Sequence, residues 1–89
     1  MNLTDLPKNM LIEAEGVFTL KNENTTLGFV RFNNIGEVEY IFVNPLFRKK
    51  NLAKKLLKLV RKKTQKKLVF QKPISPLGSK LLKSIENWN

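Results

Sequence analysis

Four cations, Arg48, Lys49, Lys50 and Lys54, lie within the seven-residue segment RKKNLAK, just after the apolar stretch Ile41 to Val43. This is the point at which strand-like sequence changes to helix-like sequence. The first turn of a helix leaves main-chain amides unpaired and carries a partial positive charge, so it can hold a phosphate group. The segment therefore predicts an anion-binding site, with Arg48 able to make a bidentate contact.

Residue types that are absent exclude several chemistries. The chain has no cysteine and no histidine. Disulfides, thiolate metal sites and cysteine nucleophiles are therefore excluded, and so are the commonest general base and the usual zinc ligands. We therefore expect no metal site.

The net charge of +10 is unevenly distributed. Residues 1–47 carry three basic and six acidic side chains, whereas residues 48–89 carry fourteen basic and one acidic. An anionic partner such as a nucleic acid is one interpretation. The other is a well-solvated helix face in a protein with a lysine bias, since fourteen of the seventeen cations are lysine.

Alternating apolar and polar residues predict the elements that position these groups. Strands are expected at Phe18 to Leu20, at Leu27 to Phe32 and at Glu37 to Val43, forming an antiparallel meander. Residues 33–36, NNIG, supply a turn, because asparagine and glycine tolerate positive φ. The segment Leu6 to Glu15 is expected to form a helical turn leading into the first strand.

After the meander the apolar residues recur every three or four positions, which predicts an amphipathic helix that ends near Thr64. Lys67 to Gln71 then predicts a strand parallel to the third strand. Ser75 and Pro76 predict the start of a last helix, with Ser75 as its N-cap. We expect one α+β (mixed α/β) domain over residues 1–89, with a β-meander followed by helix, strand and helix.

This order of elements, with Val43 and Pro45 ending a strand and RKKNLA opening a helix, resembles the GNAT superfamily of N-acetyltransferases. The segment RKKNLA aligns with that family's pyrophosphate-binding signature, [Q/R]-x-x-G-x-[G/A]. The resemblance extends from about Gly28 to Ile85. Two departures are evident. Asn51 occupies the first glycine position, where asparagine is the best substitute because it adopts the left-handed conformation most readily. We also expect the family's usual amino-terminal helices and final strands to be missing.

The resemblance implies that the protein binds acetyl-CoA. Its pantetheine arm would lie between two splayed strands, with a main-chain amide polarising the thioester carbonyl. The implied cofactor-binding residues are Ile41, Phe42, Val43, Arg48, Lys49, Lys50, Asn51, Leu52, Ala53 and Lys54.

The resemblance also implies transfer of an acetyl group to an amine, which needs a base to remove the ammonium proton. Glu37 stands where histone-modifying members place that base, and Glu39 is the second candidate because alternation puts it on the same strand face. The family's frequent acid, a tyrosine on the last helix, is replaced by Leu82. Tyr40, the only tyrosine, lies on another element, so protonation of the leaving group is left to water.

Several functions stay open. The first is an N-acetyltransferase acting on a small-molecule or protein amine, and the second is an inactive coenzyme A-binding or regulatory module. The third is a basic nucleic-acid-binding protein, although aromatic residues do not alternate with its lysines. A small subunit completed by a partner or by homodimerisation is the fourth. No segment has the ~20 apolar residues that span a bilayer, so we expect a cytoplasmic protein without membrane contact.

Overall fold

A five-stranded sheet with strands in the order of the sequence forms the centre of the protein. The computed structural model describes residues 10–89, apart from the side chains of residues 48–50. The strands are β1 (Met10–Ala14), β2 (Val17–Lys21), β3 (Thr26–Phe32), β4 (Glu37–Val43) and β5 (Val69–Phe70). Neighbours from β1 to β4 are antiparallel, whereas β4 and β5 are parallel. The mixed α+β class and the parallel final pair, both predicted from the sequence, are confirmed.

The helices follow the fourth strand. A 3-10 helix over Pro45–Lys50 leads into α1 (Leu52–Thr64), and α2 (Pro76–Ser84) follows β5. The predicted cap of α2 is present, because Ser75 Oγ accepts a hydrogen bond of 3.0 Å from the amide of Gly78. Within residues 10–89, neither α-helix combines the length and apolar character that crossing a bilayer requires.

The core lies between one face of the sheet and the helices. α1 contributes its buried stripe, Leu52, Leu56, Leu57 and Val60. The sheet contributes residues from four strands, and α2 closes the cluster with its apolar side. The remaining core residues are Phe18, Leu20, Leu27, Val30, Phe32, Val38, Ile41, Val43, Leu68, Phe70, Leu81 and Ile85.

The opposite face of the sheet has a different character. The register aligns Ile12, Thr19, Phe29 and Phe42 in one row across four strands, and Arg31 pairs with Tyr40 in the next row. These six residues define what we call the outer face. Ile12 and Tyr40 are 43% and 54% exposed, so this face presents apolar and aromatic groups to the solvent.

The first strand corrects the expectation for Leu6 to Glu15. Met10–Ala14 forms a strand paired with β2, and not a helical turn; residues 6–9 lie outside the described part. Methionine, leucine, glutamate and alanine favour helix intrinsically. Gly16, with φ of 76°, instead lets the chain turn tightly so that pairing with β2 decides the conformation.

Candidate functional site

β4 and β5 separate soon after they meet. Their pairing in the described chain covers Glu37 with Val69 and Val38 with Phe70, and the amide of Gln71 adds a hydrogen bond of 2.9 Å to the carbonyl of Val38. β5 then ends, and the chain turns towards α2. The second half of β4 therefore borders a groove rather than another strand.

A β-bulge shapes the strand at the point of separation. Arg31 pairs with Tyr40, but the next partner of β3, Phe32, pairs with Val38. Glu39 is therefore an extra residue, and both it and Tyr40 are exposed. A bulge of this kind bends a strand and increases its twist, which is consistent with the departure of β4 from β5.

The hydrogen-bond pattern determines which main-chain groups face the groove. Asn44 donates to the carbonyl of Leu27 at 2.8 Å, and the carbonyl of Phe42 lies so close to Gly28 that a Cβ there would be 2.7 Å from it. Because main-chain groups of an antiparallel strand alternate in direction, those of Ile41 point away from β3 and towards the groove. Those of Phe42 face β3 instead, so Phe42 cannot offer the groove the main-chain contacts expected from the sequence.

Two cavities follow the groove, with volumes of about 370 and 300 Å³. Both are bordered by Tyr40, Ile41 and Ser75. We call them the groove cavities. The first also contacts Val38, Glu39, Phe70, Gln71, Pro73 and Ile74, and the second Phe42, Val43, Pro76 and Leu77.

A third cavity, of about 380 Å³, opens on the outer face and is called the outer cavity. Its lining consists of Phe29, Arg31, Glu39, Tyr40 and Gln71. The last three of these also line the first groove cavity. The groove and the outer cavity are therefore neighbours, with the bulge of β4 between them.

The start of α1 has the backbone conformation that the sequence predicts for Asn51. This residue has φ of 58° and ψ of 26°, in the left-handed region, and its side chain makes no capping hydrogen bond. No acidic residue lies in the first turn of α1. The first amides of the helix consequently keep their partial positive charge without a carboxylate in the same turn to offset it.

The other predicted anion-binding residues contribute unequally. Leu52 is buried, at 1% exposure, so it has only main-chain groups to offer. Ala53 and Lys54 are half-buried. The side chains of Arg48, Lys49 and Lys50 lie outside the described part of the structure.

The two predicted catalytic glutamates differ in their surroundings. Glu37 is half-buried, and its Oε1 accepts a hydrogen bond of 2.7 Å from Asn33 Nδ2. It is not among the residues lining the three cavities described above. Glu39 lines both the first groove cavity and the outer cavity, so it is the glutamate that shares a cavity with Ile41.

Lysines further along α1 are turned to other parts of the molecule. Lys58 lies over the ring of Trp88, with Nζ 5.8 Å from the ring centroid. Lys63 forms an ion pair of 3.0 Å with Glu13 across an exposed surface. Such contacts hold lysine side chains against the protein but contribute little to stability.

Sequence reasoning assigned no site role to most of the lining residues, among them Phe29, Arg31, Gln71 and Ser75, and none to Tyr40. A signal existed for two of them, because alternation along β3 already turns Phe29 and Arg31 away from the core. Gln71 and Ser75 carry no such signal, since their place depends on where α2 begins relative to β4.

Comparison with known proteins adds one match. The model of the acetyltransferase (GNAT) family matches residues 3–72, well over half of the chain. This range includes the meander, α1 and β5, and it stops before α2. Neither the curated proteins nor the solved structures contain a match to the chain.

Proposed function

We propose that this chain, which belongs to the acetyltransferase (GNAT) family, transfers an acetyl group from acetyl-CoA to an amine. The family supports acetyltransferase activity in general. The observation that carries the specific proposal is the groove beside the second half of β4, which adjoins the outer cavity at Glu39 and Tyr40.

The groove suits an extended ligand with amide groups, such as the pantetheine arm of coenzyme A. Ile41 turns its main-chain amide and carbonyl towards it, in the manner of an unpaired strand edge. Ser75 and Leu77 border the opposite side at the start of α2. A pantetheine arm in the groove would form hydrogen bonds with the main chain of β4, in the place where a neighbouring strand would otherwise pair with it.

The start of α1 suits a pyrophosphate group. Asn51 in the left-handed conformation opens the helix, and the amides of Leu52, Ala53 and Lys54 follow it. Arg48, Lys49, Lys50 and Lys54 would supply positive charge, as the sequence pattern predicts. The high positive charge of residues 48–89 also favours attraction of a phosphate-bearing cofactor.

When bound, acetyl-CoA supplies a thioester that yields an amide and a free thiol on attack by an amine. We assign the task of general base to Glu39, because it is exposed to both cavities and can take the proton of an ammonium group. The amide of Ile41 is the candidate donor to a carbonyl oxygen placed in the groove. Protonation of the leaving group is left to water, which has access because the groove is open.

Glu37, in contrast, makes hydrogen bonds within the turn between β3 and β4. Asn33 Oδ1 accepts hydrogen bonds from the amides of Ile35 and Glu37, at 3.1 and 3.0 Å, while its Nδ2 binds the Glu37 carboxylate. These contacts close the turn between β3 and β4. We propose that Glu37 stabilises this turn rather than taking a proton from the acceptor.

Calorimetric titration with acetyl-CoA, beside dephospho-CoA, tests the cofactor assignment. We expect acetyl-CoA to bind, and Asn51→Asp to weaken binding at least roughly tenfold, because it places a carboxylate beside the pyrophosphate. Asn51→Gly is the matched control and should bind as the natural protein does. Absence of binding to either ligand would contradict the proposal, and tight binding without turnover on a broad amine panel would favour the inactive-module alternative.

A further inference from the structure

The outer cavity contains both a carboxylate and a guanidinium group beside an aromatic wall. Glu39 and Arg31 supply the charges, and Phe29 and Tyr40 supply the rings. Gln71 completes the lining with an amide that can both donate and accept. A volume of about 380 Å³ lies within the range typical of small-molecule sites.

The aromatic wall of the cavity consists of side-chain rings that contact one another on the outer face. The ring of Phe29 lies 5.7 Å from that of Tyr40 and 5.6 Å from that of Phe42, measured between centroids. The planes of Phe29 and Tyr40 differ by 25°. Rings in such contact form a continuous aromatic cluster against which another aromatic or apolar group can pack.

The two charges are available to a ligand. In the described part of the chain, neither Arg31 nor Glu39 makes an ion pair or a side-chain hydrogen bond, whereas Glu13 is paired with Lys63. Both side chains are exposed. Arg31 stands opposite Tyr40 in the register, and Glu39 is the bulged residue next to it, so the two charges flank the same ring.

We infer that the acceptor is a free amino acid with an aromatic side chain, an inference that rests on the proposed function. Its ammonium group would lie at Glu39, its carboxylate at Arg31 and its ring against Phe29 and Tyr40. A guanidinium pairs with a carboxylate through two parallel hydrogen bonds, which fixes the orientation of the ligand. Because Glu39 lines both cavities, an ammonium group bound to it would lie next to the groove.

Other acceptors fit the charges less well. A polyamine or a lysine-rich protein segment would bring several positive charges to Arg31 on a chain of net charge +10, which is repulsive. An aromatic amine without a carboxylate would leave Arg31 without an anionic partner. An internal lysine of a protein carries no carboxylate of its own beside the amine. Opposite charges that line the same cavity favour a zwitterionic ligand.

Ligand-observed NMR titration of the full chain without cofactor tests this recognition directly. The probes are L-phenylalanine, L-phenylalaninamide and phenethylamine. We expect L-phenylalanine to bind at least roughly tenfold more tightly than the other two, as a charge-assisted hydrogen-bonded pair allows. Arg31→Gln should abolish this preference, and Glu39→Gln should weaken binding of all three amines.

Lys62→Gln is the control, because it removes the same charge from an exposed position on α1. It should keep the preference for L-phenylalanine. Equal binding of phenylalanine and its amide to the natural protein, or a preference that survives Arg31→Gln, would overturn the inference.

Acetyl transfer to the same three amines separates this inference from the proposed function. Acetylation of phenethylamine in preference to phenylalanine would refute the amino-acid acceptor while supporting the acetyltransferase. Selective binding of phenylalanine by a chain that binds no acetyl-CoA would refute the acetyltransferase while supporting recognition by Arg31 and Glu39.

Discussion

Asn33 holds Glu37 at both its side chain and its main chain. The Glu37 carboxylate accepts from Asn33 Nδ2 at 2.7 Å, and the Glu37 amide donates to Asn33 Oδ1 at 3.0 Å. This reciprocal pair closes the turn that joins β3 and β4. It also distinguishes the surroundings of Glu37 from those of Glu39, which stands two positions further along the chain and lines two cavities.

The first prediction concerns these two glutamates. Glu39→Gln should lower kcat for acetyl transfer by about 10²- to 10⁴-fold, the usual contribution of a general base. Glu37→Gln should change kcat only a few-fold, because the amide oxygen still accepts the hydrogen bond from Asn33. Steady-state acetylation at saturating acetyl-CoA measures both. A larger loss for Glu37→Gln would return the role of base to Glu37.

The second prediction concerns the left-handed conformation of Asn51. Asn51→Ala should destabilise the protein by about 1–2 kcal/mol, because an alanine Cβ disfavours positive φ. Asn51→Gly should leave the free energy of unfolding unchanged or raise it, since glycine adopts this conformation without strain. Urea denaturation followed by circular dichroism distinguishes the two variants, and equal stability would show that the backbone relaxes at this position.

The third prediction concerns Gly28, where a Cβ would stand 2.7 Å from the carbonyl oxygen of Phe42. Because that atom belongs to the main chain of β4, Gly28→Ala should cost about 1–3 kcal/mol, as overpacking in a core does. Gly78→Ala is the comparison, since the three atoms nearest to its Cβ would belong to side chains, at 3.1 to 3.3 Å. We expect a smaller loss there. Thermal unfolding of both variants checks the order.

The fourth prediction concerns the side chain of Asn89. Its Oδ1 accepts from the amide of Leu68 at 2.7 Å, and its Nδ2 donates to the carbonyl of Leu68 at 3.0 Å. Asn89→Asp should reduce the free energy of unfolding by about 1–3 kcal/mol, because the carboxylate cannot donate to that carbonyl. Asn87→Asp adds the same charge at an exposed neighbour and should be nearly neutral. Similar losses in both variants would attribute the effect to charge alone.

Much of the fold is readable in the sequence because it depends on local patterns. The strand at Glu37–Val43 agrees with its prediction at both ends, and α1 ends at Thr64 as expected. The cap at Ser75 and the positive φ of Asn51 are also local properties, decided within a few residues. Alternation, helical periodicity and capping chemistry suffice for such features.

The remaining features depend on contacts between distant segments. β1 forms because β2 offers it a pairing edge, which outweighs the helix propensity of its own residues. The bulge at Glu39 arises from a register shift against β3, so alternation along β4 alone cannot reveal it. The outer cavity joins residues of β3, β4 and the segment after β5, and no motif within one segment brings them together.

The short parallel pairing between β4 and β5 has a consequence for the order in which the protein folds. Hairpins from β1 to β4 close short loops, whereas the pairing of Val38 with Phe70 must wait until the whole of α1 has been placed. We expect β5 and α2 to join the structure last and to open first in native-state fluctuations. A ligand lodged between β4 and α2 would then slow amide hydrogen exchange most strongly at Val69 and Gln71, whose amides bond to Gly36 and Val38. The groove would thus be the last part of the molecule to acquire its shape, and a ligand bound in it would slow its local opening more than that of any other part.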